Sequence, residues 1–175
     1  MRLLILIIPA IFLVYITGGN LKWLVNRPLH FKWLVLCSLF VQIVIFSGMP
    51  VLDYIPSLYI GIIHVISYLI LLAFIFLNVK VAGIAILGLG TLSNVIAITA
   101  NGGFMPSPLV VPREIYKNVI GISPESRLLF LSDILSVPEW LPLPSAFSVG
   151  DVSIVTGMFV YLLINSRKPK LDSPA

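Results

Sequence analysis

Two aspartates in the C-terminal half of the chain have the residue type and spacing for acid–base chemistry. Asp133 lies in the apolar stretch Leu131-Ser-Asp-Ile-Leu135, and Asp151 follows Phe147-Ser-Val-Gly, 18 residues later. A carboxylate among apolar neighbours is costly unless it is paired, hydrogen-bonded or protonated. Two such acids at one site can share a proton, so that one activates water while the other protonates a leaving group. The pair is therefore a candidate catalytic site.

Each aspartate also has a non-catalytic interpretation. Asp151 stands at the mouth of an apolar run, where its carboxylate is suited to cap a helix by accepting hydrogen bonds from the amides of Ser153 or Ile154. Asp133 fits equally well as a solvated acid at a membrane interface. If the two carboxylates converge, we expect at least one of them to have a raised pKa.

Other polar residues lie at or within apolar runs. Asn101 opens the turn-forming sequence Asn101-Gly-Gly-Phe-Met-Pro106, and we expect its side chain to reach the aspartates and to bind either one. His64 suits either a structural hydrogen bond or a proton or ligand role. Gln42 and Asn94 predict hydrogen bonds between helices. Because no second His or Cys stands at ligand spacing, we predict no metal site and no cofactor.

The composition shows what kind of protein positions these residues. Of 175 residues, 59% are hydrophobic and 10% are charged, with a mean hydropathy of +1.09. A soluble domain of this size cannot bury so much apolar surface. The single Cys37 excludes a disulfide framework, and the scattered basic residues do not indicate nucleic-acid binding. The sequence therefore predicts an all-α integral membrane protein whose partner is the lipid bilayer.

The apolar runs predict a single membrane domain, 1–175, with five transmembrane helices at about residues 2–18, 33–49, 58–77, 81–100 and 149–166. The first run is similar to a signal-peptide core but lacks a small-x-small cleavage site, so we expect it to be retained. Gly83, Gly88 and Gly90 predict close helix packing. Seven of the eleven basic residues fall on one side of the chain, which predicts a multi-pass cell-membrane protein with its N-terminus outside and its C-terminus cytoplasmic.

A long outer segment, residues 101–150, joins the last two predicted helices and holds 7 of the 13 prolines. Within it, residues 112–121 predict a short helix. Ser123-Pro-Glu125 is typical of a helix start. It precedes an apolar stretch at residues 126–135 that predicts an interfacial helix.

Three motifs carry a resemblance: Asn101-Gly-Gly-Phe-Met-Pro106, Leu131-Ser-Asp-Ile134 and Phe147-Ser-Val-Gly-Asp151. Together they resemble an uncharacterised bacterial family of polytopic membrane proteins, a domain of unknown function. The resemblance covers nearly the whole chain and implies a class but no activity. That family tends to have Gly-Asp where this chain has Ser-Asp133.

A local stretch is also similar to signal peptidase II, an aspartyl enzyme with one aspartate near the outer end of a helix. Its second aspartate, in a Phe-Asn-x-Ala-Asp pattern, opens the last helix. This likeness implies catalytic roles for Asp133 and Asp151. Ser148 and Gly150 depart from that pattern, and the interval between Asn101 and Asp133 has no room for the two helices that the enzyme has there.

The sequence favours a non-catalytic accessory or binding component with an ordered extracytoplasmic polar site, which implies an unidentified membrane-protein partner. The alternative is an intramembrane aspartyl hydrolase that uses Asp133 and Asp151. A third hypothesis is an ion-coupled transporter that uses His64 and the carboxylates. The chain lacks the helix count and the internal repeat typical of secondary transporters.

Overall fold

The computed structural model describes residues 7–47, 49–108, 119–136 and 146–167. The helices are α1 (Ile7–Ile16), α2 (Leu21–Val25), α3 (Trp33–Phe46), α4 (Ser57–Leu77), α5 (Ile84–Ala100) and α6 (Val149–Asn165), with short 3-10 turns at Pro50–Tyr54 and Leu129–Leu131. Four short strands are β1 (Met105–Ser107), β2 (Val119–Gly121), β3 (Leu135–Ser136) and β4 (Ala146–Phe147).

The helices pack as a row in the order α3, α4, α5, α6 and α1. From α3 onward they begin and end within three residues of the boundaries predicted from the apolar runs. The short helix α2 was not predicted. Among the described residues, α4 alone is both long and apolar enough to cross a membrane by length and composition, while α3, α5 and α6 are apolar but shorter.

The contact between α5 and α6 depends on glycines at matching positions. Gly83 lies opposite Gly157, and Gly90 lies opposite Gly150. The two glycines of each segment are seven residues apart. A Cβ atom at any of these four positions would meet the backbone of the other segment. Gly88 instead faces α4. The small residues therefore permit close backbone approach between helices, as their spacing predicted.

The burial pattern is inverted relative to that of a water-soluble protein. Large apolar side chains cover the outside of the bundle, with Phe40 68%, Phe76 79% and Leu89 68% exposed. The interior holds many small or polar side chains, among them Ser38, Gln42, His64, Ser67, Thr91 and Asn94. Such large exposed apolar surfaces are rare on soluble monomers and mark contact with a membrane or a partner.

Two ends of the bundle are distinguished by the residues that gather there. The Asn78 end holds the start of α3, the ends of α4 and α6, and α2. The Asp151 end holds the end of α3, the start of α4, the end of α5 and the start of α6. The described parts of the segment between α5 and α6 lie at the Asp151 end, where β1 pairs in parallel with β2 and β3 pairs antiparallel with β4.

The interfacial helix predicted at residues 126–135 is wrong. The chain there forms the 3-10 turn Leu129–Leu131 and then β3. Leu128 has a φ of +52°, which a right-handed helix excludes, and the backbone of Arg127 is hydrogen-bonded to the Asn101 side chain. Of the helix predicted at residues 112–121, the last three residues form β2 and the others lie outside the described residues.

Candidate functional site

The start of α6 is fixed by a capping box. The Ser148 hydroxyl oxygen accepts a hydrogen bond from the Asp151 amide at 2.9 Å, and Asp151 Oδ2 accepts one from the Ser148 amide at 3.1 Å. Asp151 is therefore the third residue of the helix, and Ser148 is the N-cap. The predicted N-cap role of Asp151, with bonds to the amides of Ser153 or Ile154, is wrong because the serine hydroxyl occupies that position.

Asn94 connects this cap to α5. Its Nδ2 donates to Asp151 Oδ1 at 2.8 Å, and its Oδ1 accepts from the Ser148 hydroxyl at 2.8 Å. Asn94 is 2% exposed, so both hydrogen bonds lie in the interior of the bundle. The interhelical bond predicted for Asn94 is confirmed. Both carboxylate oxygens of Asp151 are thus hydrogen-bonded, and a Cβ atom on Gly150 would collide with Asn94 Oδ1.

The interhelical bond predicted for Gln42 has a different donor. Gln42 Nε2 donates to the Ser38 hydroxyl at 3.2 Å, within α3. The Ser38 hydroxyl then donates to the Ser67 carbonyl of α4 at 2.8 Å. Ser38 therefore makes the contact between helices, and Gln42 supports it.

Asp133 lies where three sequence motifs meet. Its amide donates to the Pro106 carbonyl at 3.1 Å, which joins the Asn-Gly-Gly motif to the Ser-Asp motif. Leu135 pairs with Phe147, which joins the second motif to the Phe-Ser-Val-Gly-Asp motif. The preceding Ser132 is fully buried. Segments far apart in sequence thus place Asp133 beside the start of α6.

The ionisation of Asp133 reflects this position. Burial, and secondarily the negative charge of Asp151, raise the pKa of Asp133 from 3.8 to about 7. The carboxylates are therefore close enough to interact, and Asp133 carries a proton in a large share of molecules at neutral pH. This agrees with the expectation that one of the two acids has a raised pKa.

Tyr68 on α4 is a site residue that the sequence analysis missed. The charges of both Asp133 and Asp151 act on its phenol group. The ring packs on a buried apolar cluster that includes Ile98 and Met105. The available signal was spacing, since Tyr68 stands four residues after His64 and so shares its helix face.

His64 links α4 to the turn after α5. Its Nδ1 donates to the Gly103 carbonyl at 2.7 Å, and its ring meets Tyr68 edge-on at 5.3 Å. The side chain is 1% exposed. A Cβ atom on Gly103 would strike the backbone of Gly61, and one on Gly61 would strike the Gly102 carbonyl oxygen. These contacts agree with the structural interpretation of His64.

Asn101 does not make the hydrogen bond that we expected it to make with an aspartate. Both hydrogens of its Nδ2 are donated to backbone carbonyls, to Ala97 at 2.8 Å and to Arg127 at 2.9 Å. Its Oδ1 accepts from the Arg127 amide at 2.8 Å. Asn94, seven residues and thus about two turns earlier on α5, makes the bond to Asp151 instead.

The arrangement at Asn101, which we name the amide clamp, recurs at the other end of the bundle. In an amide clamp, the asparagine that ends a helix binds both the N–H and the C=O of one residue in another segment. Asn78 ends α4 and binds His30 through Oδ1 at 2.8 Å and Nδ2 at 3.0 Å. Asn165, the last residue of α6, makes half of this arrangement through Nδ2 to the Ala82 carbonyl at 3.1 Å.

A family model described as "Family of unknown function (DUF5317)" matches residues 26–163. The chain belongs to this family. The matched range contains α3 to α5, most of α6 and the acids Asp133 and Asp151. No curated protein and no solved structure matches the chain. The expectation of an uncharacterised family is confirmed, and the family's description assigns no activity to the site.

The side chains at the Asp151 end suit hydrogen bonding and proton binding. Among the described residues, no three His, Cys, Asp or Glu side chains group closely enough to hold a metal ion. The side chains of this site are those of Tyr68, Asn94, Asp133, Ser148 and Asp151, which we name the aspartate cluster. It combines one acid whose carboxylate accepts two hydrogen bonds with a second acid that holds a proton near neutral pH.

Proposed function

We propose that this protein is a multi-pass cell-membrane protein that serves as a non-catalytic accessory or binding component, with the aspartate cluster at its extracytoplasmic end. The inverted burial pattern is the observation that carries the membrane assignment. Apolar side chains cover the bundle surface, while serines, asparagines and a histidine share its interior with apolar side chains such as Ile98. This is the distribution that a lipid environment favours, because buried polar groups find partners within the bundle.

The lengths of α5 and α6 are compatible with membrane spans. At about 1.5 Å per residue, the 17 residues of α5 and α6 extend about 25 Å, and flanking residues supply the rest of a hydrocarbon core of about 30 Å. The basic side chains described at the Asn78 end favour a cytoplasmic location for that end. They are Lys22, Arg27, Lys32, Lys80 and Arg167.

The hydrogen bonds of Asp151 support the non-catalytic interpretation. One of its oxygens accepts from the Ser148 amide and the other from Asn94. A catalytic base needs an oxygen available to the proton that it removes. Asp133 and the neighbouring Tyr68 then form the part of the aspartate cluster suited to a polar or cationic group of a partner protein.

A second candidate, an intramembrane aspartyl hydrolase, is favoured by one observation. Asp133 has a pKa of about 7, which Asp151 helps to raise. A protonated acid beside a second acidic side chain is the arrangement that acid–base hydrolysis needs. In this alternative, Asp133 protonates the leaving group and Asp151 activates water.

Cysteine labelling tests the membrane topology. In a Cys37→Ser background, we expect an impermeant thiol reagent to label Glu125→Cys in intact cells but to label Arg167→Cys only after the membrane is opened. The unsubstituted Cys37→Ser protein is the control for background labelling. The reverse pattern contradicts the orientation, and equal labelling of both positions in intact cells contradicts the membrane assignment.

Crosslinking in native membranes tests the binding role. We expect a protein crosslinked to the wild type to be recovered with Glu125→Gln, an exposed acid outside the cluster, and to be lost with Asp133→Asn. Equal recovery with both variants contradicts a binding role for the cluster. If membranes that contain the wild type instead release a cleavage product, and membranes that contain Asp133→Asn or Asp151→Asn do not, the result favours the hydrolase over the binding component.

A further inference from the structure

The Asn78 end carries a set of basic and aromatic side chains, most of them exposed, at the opposite end of the bundle from the aspartate cluster. We propose that these side chains, the basic collar, bind the anionic headgroups of phospholipids. Its main members are Lys22, Arg27, Phe31, Lys32, Trp33 and Arg167. This inference rests on the proposed membrane location and adds a lipid ligand to it.

Hydrogen bonds between distant segments bring the collar together. The amide clamp of Asn78 on His30 fixes the loop before α3 against the end of α4. The Asn20 amide donates to the Ser166 carbonyl at 2.8 Å, which joins the start of α2 to the end of α6. The Asn20 side chain also caps α2 by accepting from the Lys22 amide at 2.9 Å. Basic residues from three separate segments therefore share one end of the bundle.

The charge of this end has one sign. Among the described residues, the acidic side chains belong to the other end of the bundle: Asp53, Glu125, Asp133 and Asp151. Lys22, Lys32 and Arg167 are exposed. A basic surface next to the ends of apolar helices is complementary to the anionic lipids of a cytoplasmic leaflet.

Phe31, an aromatic member of the collar, has an unfavourable backbone conformation. Phe31 has a φ of +52°, a left-handed conformation that side chains with a Cβ atom rarely adopt. Its ring is 54% exposed and lies edge-on to Trp33, itself 57% exposed, with 6.3 Å between the ring centroids. A strained residue that exposes a large ring indicates a functional constraint, and aromatic rings are favoured at headgroup level.

Arg27 is the member best placed to hold a phosphate group. It is half-buried, and its charge acts on the phenol of Tyr161 in α6. A guanidinium presents a planar pair of donors that matches phosphate oxygens. The half-buried position reduces the number of conformations that Arg27 must lose on binding a headgroup.

Tryptophan quenching by brominated lipids tests the proposal in the full-length protein. In a Trp140→Phe background, the remaining emitters, Trp23 and Trp33, lie at the Asn78 end. Vesicles of phosphatidylcholine contain one fifth brominated lipid, either phosphatidylglycerol or phosphatidylcholine. We expect the anionic lipid to quench about twofold more strongly than the zwitterionic one, and high salt to reduce this ratio.

The variants locate the effect. Arg27→Gln combined with Lys32→Gln is expected to remove the preference for anionic lipid while leaving quenching by brominated phosphatidylcholine unchanged, which shows that the variant still inserts. Arg127→Gln, an exposed basic residue at the Asp151 end, is the matched control and is expected to retain the preference. A double variant that retains the full preference overturns the assignment to the collar.

The remaining outcomes separate this inference from the proposed function. Equal quenching of the wild type by both brominated lipids overturns lipid binding by the collar and leaves the membrane location intact. Absence of quenching by either lipid overturns the membrane location itself. Inorganic phosphate at matched ionic strength is expected to leave the preference for anionic lipid unchanged. If phosphate abolishes that preference while another salt at the same ionic strength does not, free phosphate is the ligand of the collar.

Discussion

The two ends of the bundle use the same device to hold different surfaces. At the Asn78 end, the amide clamp binds His30, and at the Asp151 end the clamp of Asn101 binds Arg127. In both cases the clamping asparagine also donates to the carbonyl four residues earlier in its own helix. The residue after the clamped one has a φ of +52° at both ends. An asparagine at the end of a helix thus fixes a turn whose left-handed backbone conformation is unfavourable for Phe31 and Leu128.

The ends differ in where their charged groups lie. At the Asp151 end, Asp133 is partly buried and Asp151 is bonded to a buried asparagine. At the Asn78 end, Lys22, Lys32 and Arg167 are exposed. Partly buried charges depend on a defined set of partners, so they suit a specific site, whereas exposed charges of one sign suit a surface with many equivalent ligands.

The largest expected effect comes from the glycine contacts between α5 and α6. Gly150→Ala places a Cβ atom against both the Gly90 carbonyl and Asn94 Oδ1, and we expect a loss of about 2–4 kcal/mol of stability. Gly157→Ala meets only the backbone of α5 and its preceding turn, for a loss of about 1–3 kcal/mol. Thermal unfolding in detergent micelles measures both. Gly121→Ala, which has open space, is the control, and a Gly150→Ala protein as stable as this control contradicts the prediction.

Removal of an asparagine should cost more in the interior than at the Asn78 end. Asn94→Ala leaves the buried Ser148 hydroxyl without its acceptor and Asp151 Oδ1 without its donor, at a cost of about 1–3 kcal/mol. Asn78→Ala releases the backbone of the exposed residue His30, which water can solvate, so the loss is about 0.5–1.5 kcal/mol. Unfolding of both variants in one detergent measures the difference. A larger loss for Asn78→Ala reverses the proposed contrast between the two sites.

The pH dependence of stability should come mainly from the Asp151 end. The pKa of Asp133 is about 7 in the folded protein, above its ordinary value of 3.8, so folding favours the protonated acid. Stability is then highest below about pH 4 and falls as the pH rises through 7. The expected decline is about 1–2 kcal/mol, less than the full shift implies because Asp133 is partly exposed to solvent.

Unfolding measured between pH 4 and pH 8 tests this dependence. Asp133→Asn is expected to flatten the decline because the amide does not titrate, whereas Glu125→Gln, an exposed acid, is expected to keep it. An unchanged decline in Asp133→Asn assigns the pH dependence to another group.

The smallest effect is expected from the two strained positions. Phe31→Gly and Leu128→Gly each relieve a left-handed conformation that costs about 1–2 kcal/mol, and the added freedom of the unfolded chain cancels about half of the gain. Each variant should be stabilised by up to about 1 kcal/mol in detergent. Only Phe31→Gly should also weaken the preference for anionic lipid. Destabilisation by both substitutions contradicts the assignment of strain.

The sequence predicted the long helices well because they follow from continuous apolar runs. It failed for the segment after α5, where residues 126–135 have helical composition but form a 3-10 turn and a strand. The backbone of Arg127 is bound there by Asn101, 26 residues earlier in the chain. Local propensity is a weak preference, and a long-range hydrogen bond overrides it.

The candidate site was predicted in part. Asp133, Asp151, His64 and Asn101 all lie at or beside the Asp151 end, but their partners differ from those expected. Asn94 was predicted to form a hydrogen bond between helices, and only the structure identified Asp151 as its partner.

Tyr68 escaped notice because its phenol is compatible with an apolar run. Only the folded chain brings its phenol within range of the charges of both acids. The sequence analysis likewise assigned the N-cap role of Ser148 to Asp151, because Asp151 carries the charge.

The amino-acid sequence by itself determined the apolar character of the chain, the places where helices form and the separation of basic from acidic segments, because these depend on residue type and local order. The tertiary structure decided which polar groups meet. A hydrogen bond depends on positions to within a few tenths of an ångström, and those positions are set by the glycine contacts of α5 with α6 and by the asparagines that bind distant backbone.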